Sequence, residues 1–145
     1  MVTNLLDVNL LIALLWPPHE AHSKAQRWFA RNSHHPWATC AITQAGFVRI
    51  VSNPSFARHA VSPQDALVVL RAGLEHPSHQ FWPDDIDLPS ALSFLTRPLR
   101  GRQQVTDAYL LGLAIQKKGR LVTLDSGILS VAEHDKGVRS HLEVI

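Results

Sequence analysis

At 145 residues, with 46% hydrophobic and 18% charged residues, the chain is too apolar for disorder and has the length of one domain, residues 1–145. A single cysteine, Cys40, excludes an internal disulfide. The net charge of +2 permits a polyanionic partner without demanding one.

Residues 2–6 read as a short strand that delivers Asp7 at its C-terminal tip. Burying an unpartnered aspartate is costly, so Asp7 marks either an exposed strand end or a cation site. There is no basic stretch ahead of an apolar core, and Asp7 interrupts the place where a secretory leader would be apolar. The apolar run at 10–16 is far too short to span a bilayer. The expectation is a soluble, cytoplasmic protein with no membrane partner. Residues 10–15 predict a short buried helix, stopped by Trp16-Pro17-Pro18. Pro18 suits the first turn of a second helix over about 19–31, with Ala25, Trp28 and Phe29 as its apolar stripe. A turn cluster at 32–36 leads into a second strand, 37–41.

Thr43 reads as the N-cap of a helix over 44–52. Ser62-Pro63-Gln64-Asp65 is a helix start with N-cap, proline and first-turn carboxylate in order, and that helix runs to about Leu74. Residues 80–82 form a short strand, and Asp87 caps a helix over 89–95. A loop over 96–104 carries Arg97, Arg100 and Arg102. Thr106 then caps a strongly patterned helix, 107–118, with Gly119 as the residue that ends it. Residues 121–124 are a continuous apolar run, as in a strand covered on both faces, and Asp125 follows directly. A last strand falls near 142–145. Strands alternating with helices predict an α/β fold, a three-layer α/β/α sandwich with a mostly parallel central sheet.

That topology gathers three acids. Asp7 and Asp125 each follow a strand, and Asp107 opens a helix that leads into a parallel strand, so all three reach the rim formed by the strands' carboxyl ends. Two such charges about 5 Å apart repel by roughly 3 kcal/mol at an effective dielectric of 20. Protonation, solvation or a hard cation relieves this, and carboxylates with water are what Mg²⁺ or Mn²⁺ takes. Taken singly, Asp107 also reads as a helix-dipole residue and Asp125 as a turn former.

Four stretches together resemble the PIN-domain family, and within it the VapC-type ribonuclease toxins: Leu5-Leu6-Asp7-Val8-Asn9; Ile42-Thr43-Gln44-Ala45-Gly46-Phe47-Val48-Arg49; Val105 to Ala114; and Leu121-Val122-Thr123-Leu124-Asp125. The resemblance implies a Mg²⁺-dependent endoribonuclease (Mn²⁺ as the other candidate ion). It implies a homodimer held inactive by a small antitoxin, with promoter DNA bound only through that antitoxin. It carries the catalytic and metal-binding role onto Asp7, Asp107 and Asp125, with Asn9 in support. Gln44 stands where the family often has glutamate. An amide hydrogen-bonds a metal-bound water but adds no charge, so Gln44 and Thr106 are expected as supporting residues.

The Arg97 to Arg102 loop precedes Asp107 and is expected to overhang the acidic rim, with Arg100, Arg102 and, from the middle motif, Arg49 as RNA phosphate contacts. Trp16, Trp28, Trp37 and Trp82 read as core or interface anchors, and His34-His35 as an exposed turn. Two rival functions remain open on sequence. One is a catalytically silent PIN-like domain that binds RNA or protein, for which Gln44 speaks. The other is a phosphohydrolase of the haloacid-dehalogenase kind, which wants an acid two residues after its nucleophile; this chain has Asn9 there.

Overall fold

The structure is a computed structural model that describes residues 1–56, 58 and 60–145. Five strands form its sheet: β1 (Asn4–Leu6), β2 (Trp37–Cys40), β3 (His79–Trp82), β4 (Arg120–Thr123) and β5 (Leu142–Val144). They lie in the order β3-β2-β1-β4-β5, and all four pairings are parallel. The chain therefore builds outward from β1 to β3 and then crosses to the other side of β1 for β4 and β5. Between β1 and β4 the direction of winding reverses, which opens a crevice at the strands' carboxyl ends.

Among the described residues, eight helices cover the two faces: α1 (Val8–Leu15), α2 (His22–Asn32), α3 (Ala41–Val51), α4 (Pro63–Leu74), α5 (Leu88–Leu92), α6 (Val105–Gln116), α7 (Leu129–Ala132) and α8 (Lys136–Arg139). One core layer joins Leu6, Trp37 and Val122 of the sheet to Leu10, Trp28, Phe47 and Leu70 of α1 to α4. The other joins Leu5, Ala38 and Leu121 to Ala91, Leu110, Val131 and Val138 of α5 to α8. Alternate strand residues thus feed opposite layers, and the expected three-layer sandwich is found. Helix α6 is buried continuously from Ala108 to Ala114. Gly112 lets it approach α5 closely, since a Cβ there would lie 2.3 Å from the Ala91 carbonyl oxygen.

Several element starts differ from the sequence expectation. Helix α1 begins at Val8, not at residue 10, because the Asp7 carboxylate accepts from the Leu10 N–H and caps it. Residues 17–21 form turns, not helix: the backbone N–H groups of His19 and His22 donate to the carbonyls of Trp16 and His19. Thr43 is not the N-cap of α3. Cys40 holds that position, and the Thr43 hydroxyl, three residues on, accepts from its N–H at 3.0 Å. Nor does Thr106 cap α6, which starts at Val105 after a 3₁₀ turn over Arg102–Gln104.

At the far end of α6 the left-handed residue is Lys118, with φ of 57°, not Gly119. The N–H groups of Lys118 and Gly119 close the helix on the carbonyls of Ile115 and Ala114. Gly119 is required for a different reason: a Cβ would lie 2.6 Å from the Trp82 ring and 2.7 Å from the Thr3 carbonyl. The caps at Ser62 and Asp87 are as expected, accepting from the N–H groups of Asp65 and Ser90. Trp28, Trp37 and Trp82 are buried anchors, whereas Trp16 is half-buried. Among the described residues, no helix is long and apolar enough to cross a membrane.

Candidate functional site

Strand β1 ends at Leu6 and its neighbour β4 at Thr123, and their register sets Leu6 beside Val122. The next residues, Asp7 and Thr123, are therefore neighbours at the mouth of the crevice. Asp7 is 3% exposed and fully engaged. Its Oδ1 accepts from the Leu10 N–H at 2.7 Å, and its Oδ2 accepts from the Thr123 hydroxyl. That hydroxyl in turn accepts from the Asp125 N–H at 2.9 Å. Buried Thr123 thus fastens Asp7 to the turn that carries Asp125.

Asp125 itself is exposed and caps the 3₁₀ turn Ser126–Ile128, accepting from the Gly127 N–H at 2.8 Å. It is a turn former as well as a rim acid. Asp107, half-buried in the first turn of α6, completes the group.

Burial pushes the Asp7 carboxyl up to about 6, and the charges on Asp107 and Asp125 push the same way, against the lowering effect of its two hydrogen bonds. Asp107 is also raised to about 6, by burial first and by Asp125 second. The three acids share one field, and among the described residues none is in an ion pair with a lysine or arginine; the ion pairs found are Lys117–Asp85 and Arg120–Glu143.

Desolvated, like-charged carboxylates without a cationic side chain suit a hard divalent ion. Among the described residues, no three His, Cys, Asp or Glu side chains are arranged closely enough to hold a metal ion together.

The remaining sequence candidates are held by partners other than these acids or are exposed. Asn9, exposed on α1, pairs with His19: Asn9 Oδ1 and His19 Nε2 are 3.1 Å apart. Gln44 donates from Nε2 to the Thr39 hydroxyl at 2.9 Å, and that oxygen lies 2.8 Å from His79 Nε2. By strand alternation Thr39 faces the same layer as Trp37, whereas Thr123 faces that of Leu121. Gln44 is anchored on the other face of the sheet, and no hydrogen bond among the described residues joins it to an acid. Thr106 is exposed and lines an open groove with Ile42, Ile86 and Tyr109.

Arg49, Arg100 and Arg102 are all exposed, and none is in an ion pair among the described residues. The arginine loop is tied to the acidic side by a residue the sequence reading passed over. Gln104 accepts from the Arg100 N–H at 2.8 Å and donates to the Gly127 carbonyl at 3.1 Å and the Ser130 hydroxyl at 2.9 Å. Thr123 was missed in the same way. Its trace in the sequence is a hydroxyl within an otherwise apolar strand two residues before an aspartate.

Comparison with known proteins agrees with the fold. The PIN domain family model matches residues 5–134. The Mycobacterium tuberculosis protein Ribonuclease VapC39 is 44% identical over 131 residues, covering 90% of this chain and 94% of that one. Ribonuclease VapC38 of the same species is 43% identical over 129 residues, 89% of each. Two solved structures share the fold. VapBC2 from Rickettsia felis, bound to a promoter DNA fragment, aligns with a TM-score of 0.63 at 14% identity over 98% of both chains. DNA-bound VapBC from Salmonella typhimurium aligns with a TM-score of 0.62 at 16% identity, over 99% of this chain and 98% of that one.

Proposed function

The chain belongs to the PIN-domain family, and from that premise we propose that it is the endoribonuclease of a toxin–antitoxin pair, cutting RNA phosphodiester bonds at a divalent-metal site on Asp7, Asp107 and Asp125. The observation that carries this reading is the hydrogen-bonded node of buried Asp7, buried Thr123 and exposed Asp125, with Asp107 close enough to raise the Asp7 carboxyl and, among the described residues, no lysine or arginine in an ion pair with any of the three acids.

Each residue has a definite task. The Leu10 N–H and the Thr123 hydroxyl fix the Asp7 carboxylate through one oxygen each, which leaves further lone pairs on both oxygens. Asp107 approaches from α6 and Asp125 from the turn after β4, so carboxylate oxygens come from three separate elements. Mg²⁺ is the ion proposed, with Mn²⁺ as a substitute; when bound, it supplies positive charge for the scissile phosphodiester and eases deprotonation of the attacking water. In this reading Arg100 and Arg102, on the loop that Gln104 ties to Gly127, and exposed Arg49 hold flanking phosphates. Asn9, two residues past Asp7, supports the site at its margin without adding charge, whereas Gln44, held by Thr39, and Thr106, on a separate groove, are given no direct role in this reading.

The VapC names of the relatives and the VapBC assemblies among the structural neighbours support a small antitoxin as the partner. In this reading the antitoxin carries the promoter-DNA contact, the toxin is a homodimer, both act in the cytoplasm, and one unit spanning 1–145 holds the whole activity. A silent binding domain is not favoured, because three acids remain although position 44 is an amide. The test is cleavage of a labelled RNA mixture with Mg²⁺, with Mn²⁺ and with chelator, beside Asp7→Asn. Metal-dependent cutting lost in the variant is the expected result. No cutting in either metal by well-folded protein overturns the reading.

A further inference from the structure

Beside the acidic node, an open cavity of about 520 Å³ runs along the outer face of α1. Asn9 and Trp16 lie along it, seven residues and therefore about 10 Å apart on one helical face. Asn9, two residues past Asp7, is the lining residue nearest to it in the chain, and Trp16, Pro18, His19 and Glu20 lie further along. Trp16 and Phe56, the latter 52% exposed, supply aromatic surface, and His19, Glu20 and Arg58 supply polar groups.

The hydrogen bonds fix what these groups present. His19 Nδ1 accepts from the Ala21 N–H at 3.0 Å, so its proton is on Nε2 and is donated to Asn9 Oδ1 at 3.1 Å. The Asn9 Nδ2 group is left with two donors for a ligand. Glu20, exposed and in no ion pair among the described residues, offers a pure acceptor, and Arg58 a forked donor.

We propose that this cavity is a base-reading subsite that takes one guanine of the RNA, stacked on its aromatic wall with the N1–H and N2–H edge on Glu20. Among the standard bases only guanine presents two adjacent donors on its Watson–Crick edge, the match for one carboxylate. Its O6 and N7 acceptors match the donors of Asn9 and Arg58. Splayed single-stranded bases are read by this combination of stacking and edge hydrogen bonds. At about 10 Å of reach, the base belongs to a nucleotide flanking the scissile bond, not to the bond itself. The inference rests on the ribonuclease reading above and adds to it a reason for cutting at some sequences and not others.

The test uses short single-stranded RNAs with one guanine, or with inosine or adenine in its place, and the Asp7→Asn chain to prevent cutting. Inosine lacks only the N2 amino group. Guanine RNA is expected to bind roughly tenfold tighter than inosine RNA, and Glu20→Gln to bring that ratio close to one. Equal affinity for the two RNAs, a ratio unchanged by Glu20→Gln, or no RNA binding at all overturns the subsite. In parallel, the unsubstituted chain is given the same RNAs with Mg²⁺ or Mn²⁺. Cutting without guanine preference removes the subsite and keeps the nuclease; guanine-selective binding without cutting keeps the subsite and removes the nuclease. A guanine-blind cavity that instead binds a basic, apolar peptide through Glu20 and Trp16 belongs to a protein partner and also overturns the proposal.

Discussion

Two groups of three aspartates stand on this molecule, and they behave in opposite ways. Asp84, Asp85 and Asp87 lie on an exposed loop between β3 and α5. There the Lys117 ammonium, 2.9 Å from Asp85, holds its carboxyl below the ordinary range, and the hydrogen bonds from Ser90 do the same for Asp87. Asp7, Asp107 and Asp125 lie at the crevice between β1 and β4, and the first two are pushed up to about 6. The loop acids are satisfied by water, a lysine and a helix start. Of the crevice acids, Asp7 and Asp107 are largely taken out of water while Asp125 stays exposed, and among the described residues the chain brings no lysine or arginine to meet them. Counting carboxylates in a sequence cannot separate the two groups. Desolvation without a built-in counter-charge does, and it marks the place where an external cation is wanted.

The contrast is broken most directly by substitution. Asp7→Asn is expected to lower metal-dependent RNA cleavage roughly 100-fold or more, measured on end-labelled RNA. Its folding without metal should be kept or improved, because the amide oxygen still accepts from the Leu10 N–H while the buried charge is gone. Thr123→Val comes next. It strips Asp7 Oδ2 and the Asp125 N–H of their shared partner, at a cost of roughly 1–3 kcal/mol in denaturant unfolding. It also removes a bond that holds the Asp7 carboxyl down, so the acid limb of the cleavage pH profile should move to higher pH.

A third expectation concerns stability without metal. Between about pH 4 and pH 6 the folded chain holds more protons on Asp7 and Asp107 than the unfolded chain does. Their contribution is complete below the unfolded pKa and is lost as pH rises through the folded one. For Asp7 this is on the order of 3 kcal/mol. The stability difference between the natural chain and Asp7→Asn should therefore shift against the natural chain from pH 5 to pH 7, and saturating Mg²⁺ or Mn²⁺ at pH 7 should raise its Tm by roughly several degrees. A difference that stays flat with pH and a Tm indifferent to metal contradict the raised pKa. The smallest effect is expected in the other group. Asp87→Ala, which deletes a helix cap, should lower Tm by roughly a few degrees and leave metal-dependent cleavage intact. A tenfold loss of cleavage there would erase the distinction between the two groups.

The sheet and its layers were legible because strands and helices alternate and the strands are short apolar runs, as at Leu121 and Val122. The meeting of Asp7, Asp107 and Asp125 was legible for the same reason, since parallel strands send their ends to one rim. Hydrogen-bond assignments were legible at the Ser62 and Asp87 caps but not around the acids. Asp7 was read as a site acid and proves also to be a helix cap, because a carboxylate leaves four lone-pair directions and sequence does not say how they are shared. Thr43 and Thr106 looked like caps by residue type; one sits three residues inside its helix, and the other follows a 3₁₀ turn. The cavity beside α1 depends on the turn at 17–21 bringing His19 back to Asn9, a ten-residue return that a helical reading of 19–31 conceals.

The claim that the desolvated acids are the metal site is tested most directly by calorimetric Mn²⁺ titration at pH 6 and pH 8, each in two buffers of different ionisation enthalpy. With Asp7 and Asp107 near half-protonated at pH 6, binding should release about one proton there and almost none at pH 8, with binding lost in Asp7→Asn. Ion binding that releases no protons at pH 6, or that survives Asp7→Asn unchanged, would place the metal elsewhere and contradict the account.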